Sequence, residues 1–88
     1  MSQIEKILIK IKNNPKDVTF DEMTYFLSSL GYDKGNKGKT SGSRVIFVKE
    51  TGSGKRVIML HKPHPQKEMK AYAVRQVMDQ LKGYGEIQ

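Results

Sequence analysis

The sequence predicts an α+β domain, and three observations carry that prediction. Two stretches with helical spacing of apolar residues come first, two runs rich in β-branched residues follow, and a further helical stretch closes the chain. The order reads α, α, (β), β, β, α. With 88 residues there is room for one domain and one thin core, such as a layer of helices on a single sheet.

Ser2 and Glu5 have capping-box spacing, and Ile4, Ile7, Leu8 and Ile11 follow at i, i+3, i+4, i+7. This predicts an amphipathic helix stopped by Pro15, so residues 1–14 form an N-terminal helix ahead of a domain spanning residues 15–88. A second capping box, Thr19 with Glu22, opens a helix whose stripe is Met23, Phe26, Leu27 and Leu30, with Val18 and Met23 placed as a hydrophobic staple. Gly31 stands where a left-handed cap is wanted, and Tyr32 is placed to fold back on the last turn. The glycine- and lysine-rich residues 33–43 read as a loop or a poor edge strand.

Residues 44–49 (RVIFVK) and 56–61 (RVIMLH) read as an antiparallel hairpin joined through residues 50–54. Both strands are apolar on both faces, with Val45, Phe47, Val57 and Met59 expected on one and Ile46, Val48, Ile58 and Leu60 on the other. One face suits a helical layer, and the other needs a cover, for which the N-terminal helix is the expected element and a partner protein the alternative. A final helix is expected from about Ala71, with Val74, Val77, Met78 and Leu81 buried and Gly83 near its end.

The chain has no cysteine, which excludes disulfides and thiolate metal sites. No secretion-type leader and no apolar run long enough to span a bilayer are evident, so a cytoplasmic location with no membrane partner is expected. Sixteen Lys and Arg against nine Asp and Glu give a net charge of +7. An excess of that size attracts polyanions. It is concentrated mid-chain, where Lys34, Lys37, Lys39 and Arg44 face one acid and Lys55, Arg56, Lys62, Lys67 and Lys70 face another. Lys37, Lys39, Arg44, Lys55, Arg56 and Lys70 are therefore the candidate contacts to an RNA backbone. A solvated charged surface with no such partner is the plain alternative.

Nucleotide hydrolysis is excluded. Gly38-Lys39-Thr40 resembles the end of a phosphate-binding loop, but the spacing calls for glycine where Asp33 stands, and a strand rather than a helix follows. His61 and His64 are two possible ligands without a third, so no metal and no other cofactor is expected. His61 reads as an exposed strand end. His64 reads as a turn residue, or as an acid–base group, since imidazole titrates near neutrality. Phe26 and Phe47 fall in core stripes, leaving Tyr25, Tyr72 and Tyr84, a poor match to a base-stacking platform.

A helix ending in Leu30-Gly31-Tyr32, a strand beginning Gly42-Ser43-Arg44-Val45-Ile46-Phe47, a second strand running into a Pro/His turn, and Lys67-Glu68-Met69-Lys70 entering the last helix together resemble the HicA toxin family. The resemblance implies a double-stranded-RNA-binding-like fold with a small three-stranded antiparallel sheet, helices packed on one face, and an extra N-terminal helix in this chain. It also implies metal-independent cleavage of messenger RNA and neutralisation by a HicB-type antitoxin. Arg44 falls where the family's catalytic histidine stands. Arginine does not release its proton, so Arg44 is assigned to the phosphate and His64 to proton transfer. A non-catalytic RNA- or DNA-binding module and a protein-interaction domain remain the alternatives.

Overall fold

The computed structural model describes residues 3–35, 44–61, 63 and 67–87. Helix α1 spans Gln3–Asn13, a 3-10 turn Pro15–Asp17, and α2 Phe20–Ser29; strands β1 (Asp33–Lys34), β2 (Arg44–Thr51) and β3 (Gly54–His61) follow, and α3 (Ala71–Gly83) closes the fold. The strands form one antiparallel sheet in the order β1-β2-β3.

The capping box predicted for α2 is present: Glu22 N–H donates to Thr19 Oγ1 at 3.1 Å, and Thr19 N–H donates back to Glu22 Oε1 at 2.9 Å. At the other end Gly31 takes φ +96°. Tyr32 N–H then donates to Leu27 O and Gly31 N–H to Ser28 O, each at 3.0 Å, the paired bonds of a Schellman cap. Helix α3 ends in the same way, with Gly85 at φ +78° and Glu86 N–H donating to Leu81 O. The capping glycine is thus Gly85, two residues beyond Gly83. The predicted N-cap of α1, Ser2, lies outside the described residues.

The hairpin register corrects one expectation. Thr51 pairs with Gly54, so the turn is the two residues Gly52-Ser53 rather than five. Thr51 Oγ1 braces it, donating to Gly54 O at 2.9 Å and accepting from Ser53 N–H at 3.3 Å. A one-residue change of register turns every side chain of one strand to the opposite face. Val45, Phe47, Ile58 and Leu60 therefore share the buried face, while Ile46, Val48, Val57 and Met59 share the open one.

The position of α1 corrects a second. It packs against α2 and the 3-10 turn, and Ile7 and Ile11 join the same core as Phe26, Phe47, Ile58, Val77 and Leu81. The open face keeps Val57 40% and Met59 44% exposed. The apolar stripe of α1 is satisfied on the helical side, where a buried core already exists, and Lys10 fastens it there by an ion pair to Glu22 at 2.9 Å.

Strand β3 lies at a sheet edge, and α3 closes that edge with side chains. The Gln80 amide accepts from Met59 N–H and donates to Met59 O, both at 3.1 Å. The Tyr84 hydroxyl accepts from Val57 N–H at 3.0 Å and donates to Val57 O at 3.1 Å. At the other edge Gly35 N–H donates to Ile46 O at 2.8 Å, and a Cβ at Gly35 would fall 2.6 Å from Val48 Cγ2. Only glycine lets the chain come that close to β2.

Two outcomes follow. Ile7→Ala should cost about 2–4 kcal/mol of unfolding free energy in urea titration, as a core truncation does, even though Ile7 lies in the added helix. Gln80→Ala combined with Tyr84→Phe frees the β3 edge, and sedimentation should then show concentration-dependent association absent from the parent chain.

Candidate nucleic-acid interface

The open face of the sheet is a row of four cross-strand pairs: Arg44 with His61, Ile46 with Met59, Val48 with Val57, and Glu50 with Lys55. Paired residues in an antiparallel ladder point to the same side. The row therefore has an apolar middle and polar ends, with Arg44 and His61 at one end and Lys55 at the other. All three are exposed. Among the described residues Arg44, His61 and Lys55 make no ion pair.

The phase of the ladder adds a detail. Val57 and Met59 turn their backbone N–H and C=O groups outward to Tyr84 and Gln80. His61 shares that phase, so Arg44 and His61 occupy a non-hydrogen-bonded position, where facing side chains approach most closely. At the Lys55 end the sheet borders a cleft of about 590 Å³ lined by Asp33, Lys34, Val48, Glu50 and Lys55 among others. The two ends lie about 20 Å apart at the rise of a β-strand.

Arg56 has a different environment. It lies on the helical side with Lys49, and both cations meet Glu86, whose side chain is only 8% exposed. Arg56 Nη1 donates to Glu86 Oε2 at 2.8 Å, Lys49 Nζ to Glu86 Oε2 at 2.9 Å, and the Tyr32 hydroxyl to Glu86 Oε2 at 3.1 Å. The Arg56 guanidinium also stacks on Tyr84, and the Lys49 ammonium on Tyr32, each 5.7 Å from the ring centre. Burial works to raise the Glu86 carboxyl, but the bonds from Lys49, Arg56 and Tyr32 outweigh it and hold the group below its ordinary value. Burial, reinforced by that carboxylate, pushes the Tyr32 phenol up to about 12. Glu22 repeats the pattern: burial opposes ionisation, while Thr19 and Lys10 favour it more strongly, and its carboxyl is lowered.

Of the other candidates, Lys70 is exposed and forms the N-cap of α3, with no side-chain cap bond. A backbone bridge places that end beside the start of α2: Met69 N–H donates to Val18 O at 2.7 Å and Phe20 N–H to Lys67 O at 3.0 Å. Lys37, Lys39 and His64 lie outside the described residues. The structure thus pairs Arg44 with His61, separates both from Lys55, and engages Arg56 with Glu86. Tyr25 and Tyr72 are exposed, whereas Tyr84 is used on β3. Among the described residues no three His, Asp or Glu side chains gather as a metal site, and no helix is long and apolar enough to cross a membrane.

The pairing of Arg44 with His61 was available from the sequence by counting outward from a two-residue Gly52-Ser53 turn. Glu86 carried no such signal, because its role depends on a cap that folds the chain back after α3.

From α2 to α3 the order is α-β-β-β-α, with the helices on one face of an antiparallel sheet, which is the arrangement of double-stranded-RNA-binding domains. The family model described as the HicA toxin of bacterial toxin–antitoxin systems matches residues 20–82. The chain belongs to the HicA toxin family, whose members act as the toxin of such a pair and have an antitoxin as partner. No curated protein and no solved structure matches the chain.

Glu86 offers a direct test of the cluster beneath the sheet. Its lowered carboxyl contributes stability that is complete above the ordinary carboxylate range and is lost as pH falls through the lowered value. Glu86→Gln should therefore cost about 1–3 kcal/mol at neutral pH. The gap between variant and parent should close as the pH is taken below about 4, as read by denaturant titration at each pH.

Proposed function

We propose that this toxin binds RNA across the open face of its sheet and cleaves messenger RNA without a metal ion, in the cytoplasm, until a HicB-type antitoxin covers it. The observation that carries the reading is Arg44 at the end of that face, with no ion pair among the described residues, in a chain of the HicA family with a net charge of +7. A guanidinium without a carboxylate partner is free to take a phosphate in bidentate fashion. Lys55 at the far end of the face and Lys70 at the start of α3 extend the contact along a backbone, and Lys37 and Lys39 belong to the same proposed set. Arg56 contributes by holding Glu86 and the sheet together.

A second reading, an RNA-binding module that does not cut, is favoured by Arg44 itself. It stands where the family resemblance calls for a histidine, and an arginine cannot take the proton of a 2′-hydroxyl.

Purified chain incubated with RNA in the presence of a chelator separates the two, since only the first reading gives fragments. Binding tests what they share. Arg44→Ala, Lys55→Ala and Lys70→Ala should each weaken RNA binding across sequences and flatten the plot of log affinity against log salt by about 0.7 per lost contact. Unchanged slopes in all three folded variants would remove the phosphate-binding face.

A further inference from the structure

Resting on the RNA-cleaving reading, we propose that His61 is the proton acceptor of the reaction and that it acts together with Arg44 across the β2–β3 ladder. The two residues are direct cross-strand partners on the open face, and both are exposed. Facing side chains at such positions have Cβ atoms about 4.5–5.5 Å apart. A phosphate resting on the Arg44 guanidinium therefore lies within reach of the His61 imidazole. The imidazole that the family resemblance would place at position 44 has a counterpart in His61 on the neighbouring strand, at the same level of the sheet and on the same side.

The chemistry divides between the two groups. The His61 imidazole takes the proton of a ribose 2′-hydroxyl, and the 2′-oxygen forms a bond to the adjacent phosphorus. The bond from phosphorus to the 5′-oxygen breaks, its electron pair stays on that oxygen, and the proton held by His61 passes to it through water. The products are a 2′,3′-cyclic phosphate and a 5′-hydroxyl, with no atom gained or lost. Arg44, which keeps its charge throughout, stabilises the negative charge that builds on the phosphoryl oxygens. Ile46 and Met59, the next pair along the face, give the nucleotide an apolar floor, and a drier surround strengthens the guanidinium–phosphate attraction.

The test compares metal-free cleavage of a single-stranded RNA by the parent chain, His61→Ala, His61→Gln, His64→Ala and the exchange variant Arg44→His/His61→Arg, with RNA binding and thermal unfolding measured alongside. The parent should release fragments ending in 2′,3′-cyclic phosphate. Both His61 variants should lose about a hundred-fold or more in rate at unchanged binding, the usual worth of a positioned acid–base group. The exchange variant keeps one imidazole and one guanidinium on the same rung, and it should recover to within about ten-fold of the parent, which a merely structural histidine would not produce. His61→Gln cleaving within about three-fold of the parent, with His64→Ala inactive, would overturn the assignment and leave the RNA-cleaving reading intact. Fragments ending in a 3′-hydroxyl would overturn it equally. A parent chain that binds RNA and releases no fragments would overturn both, and only that outcome touches the function proposed above.

Discussion

The Glu86 carboxylate is where the sheet, α2 and α3 are joined. Two helices end in Schellman caps, and the residue each cap folds back, Tyr32 in one case and Glu86 in the other, meets its counterpart at 3.1 Å. Lys49 and Arg56, facing each other on β2 and β3, supply the positive charge. A carboxylate removed from water is costly unless it is paired and hydrogen-bonded. Here it has two cations and a phenol, so the cost is offset only while both helix ends and both strands hold their places. That mutual requirement fixes the depth at which α3 lies against β3, and with it the reach of Gln80 and Tyr84 to the strand edge.

The hairpin register does comparable work on the other side of the sheet. Because Thr51 closes on Gly54, the polar side chains of β2 and β3 are divided between the two faces of the sheet. Lys49 and Arg56 go to Glu86, while Arg44 and His61 go to the open face. A slip of one residue would bury the wrong half of β3 and send Arg56 away from its partner. The turn is therefore where this sequence separates the charges that hold the fold from the polar groups on the open face.

Much of this was legible in the sequence, and the reasons are local. The Thr19–Glu22 box, the Gly31 cap and the apolar stripes of α2 and α3 depend on residues within a turn or two of one another. The three-stranded sheet with helices on one face was indicated by the order Leu30-Gly31-Tyr32, Gly42-Ser43-Arg44 and Lys67-Glu68-Met69-Lys70, which the family resemblance put together. What escaped depends on distance. The face assignment of Val57 to Leu60 failed because Gly54 serves the strand rather than the turn, and one residue decides it. The destination of α1 failed because an open apolar sheet face looked like the natural place for Ile7 and Ile11. The core beneath α2, closed by Lys10 on Glu22, was the better one. Arg56 gave no sign in sequence of its carboxylate thirty residues away.

The closure of β3 by α3 bears on how an antitoxin must recognise this toxin. Many partners bind by β-augmentation, laying an extended segment along a free strand so that main chain reads main chain. At Val57 and Met59 the main-chain groups are already taken by Tyr84 and Gln80. A strand offered to that edge finds no bonds to make at Val57 and Met59 until α3 is peeled away. Recognition there has to rest on side chains, whose identity differs from one protein to the next, rather than on a backbone that all proteins share. At those two residues α3 keeps an arbitrary extended chain from adding itself to the sheet.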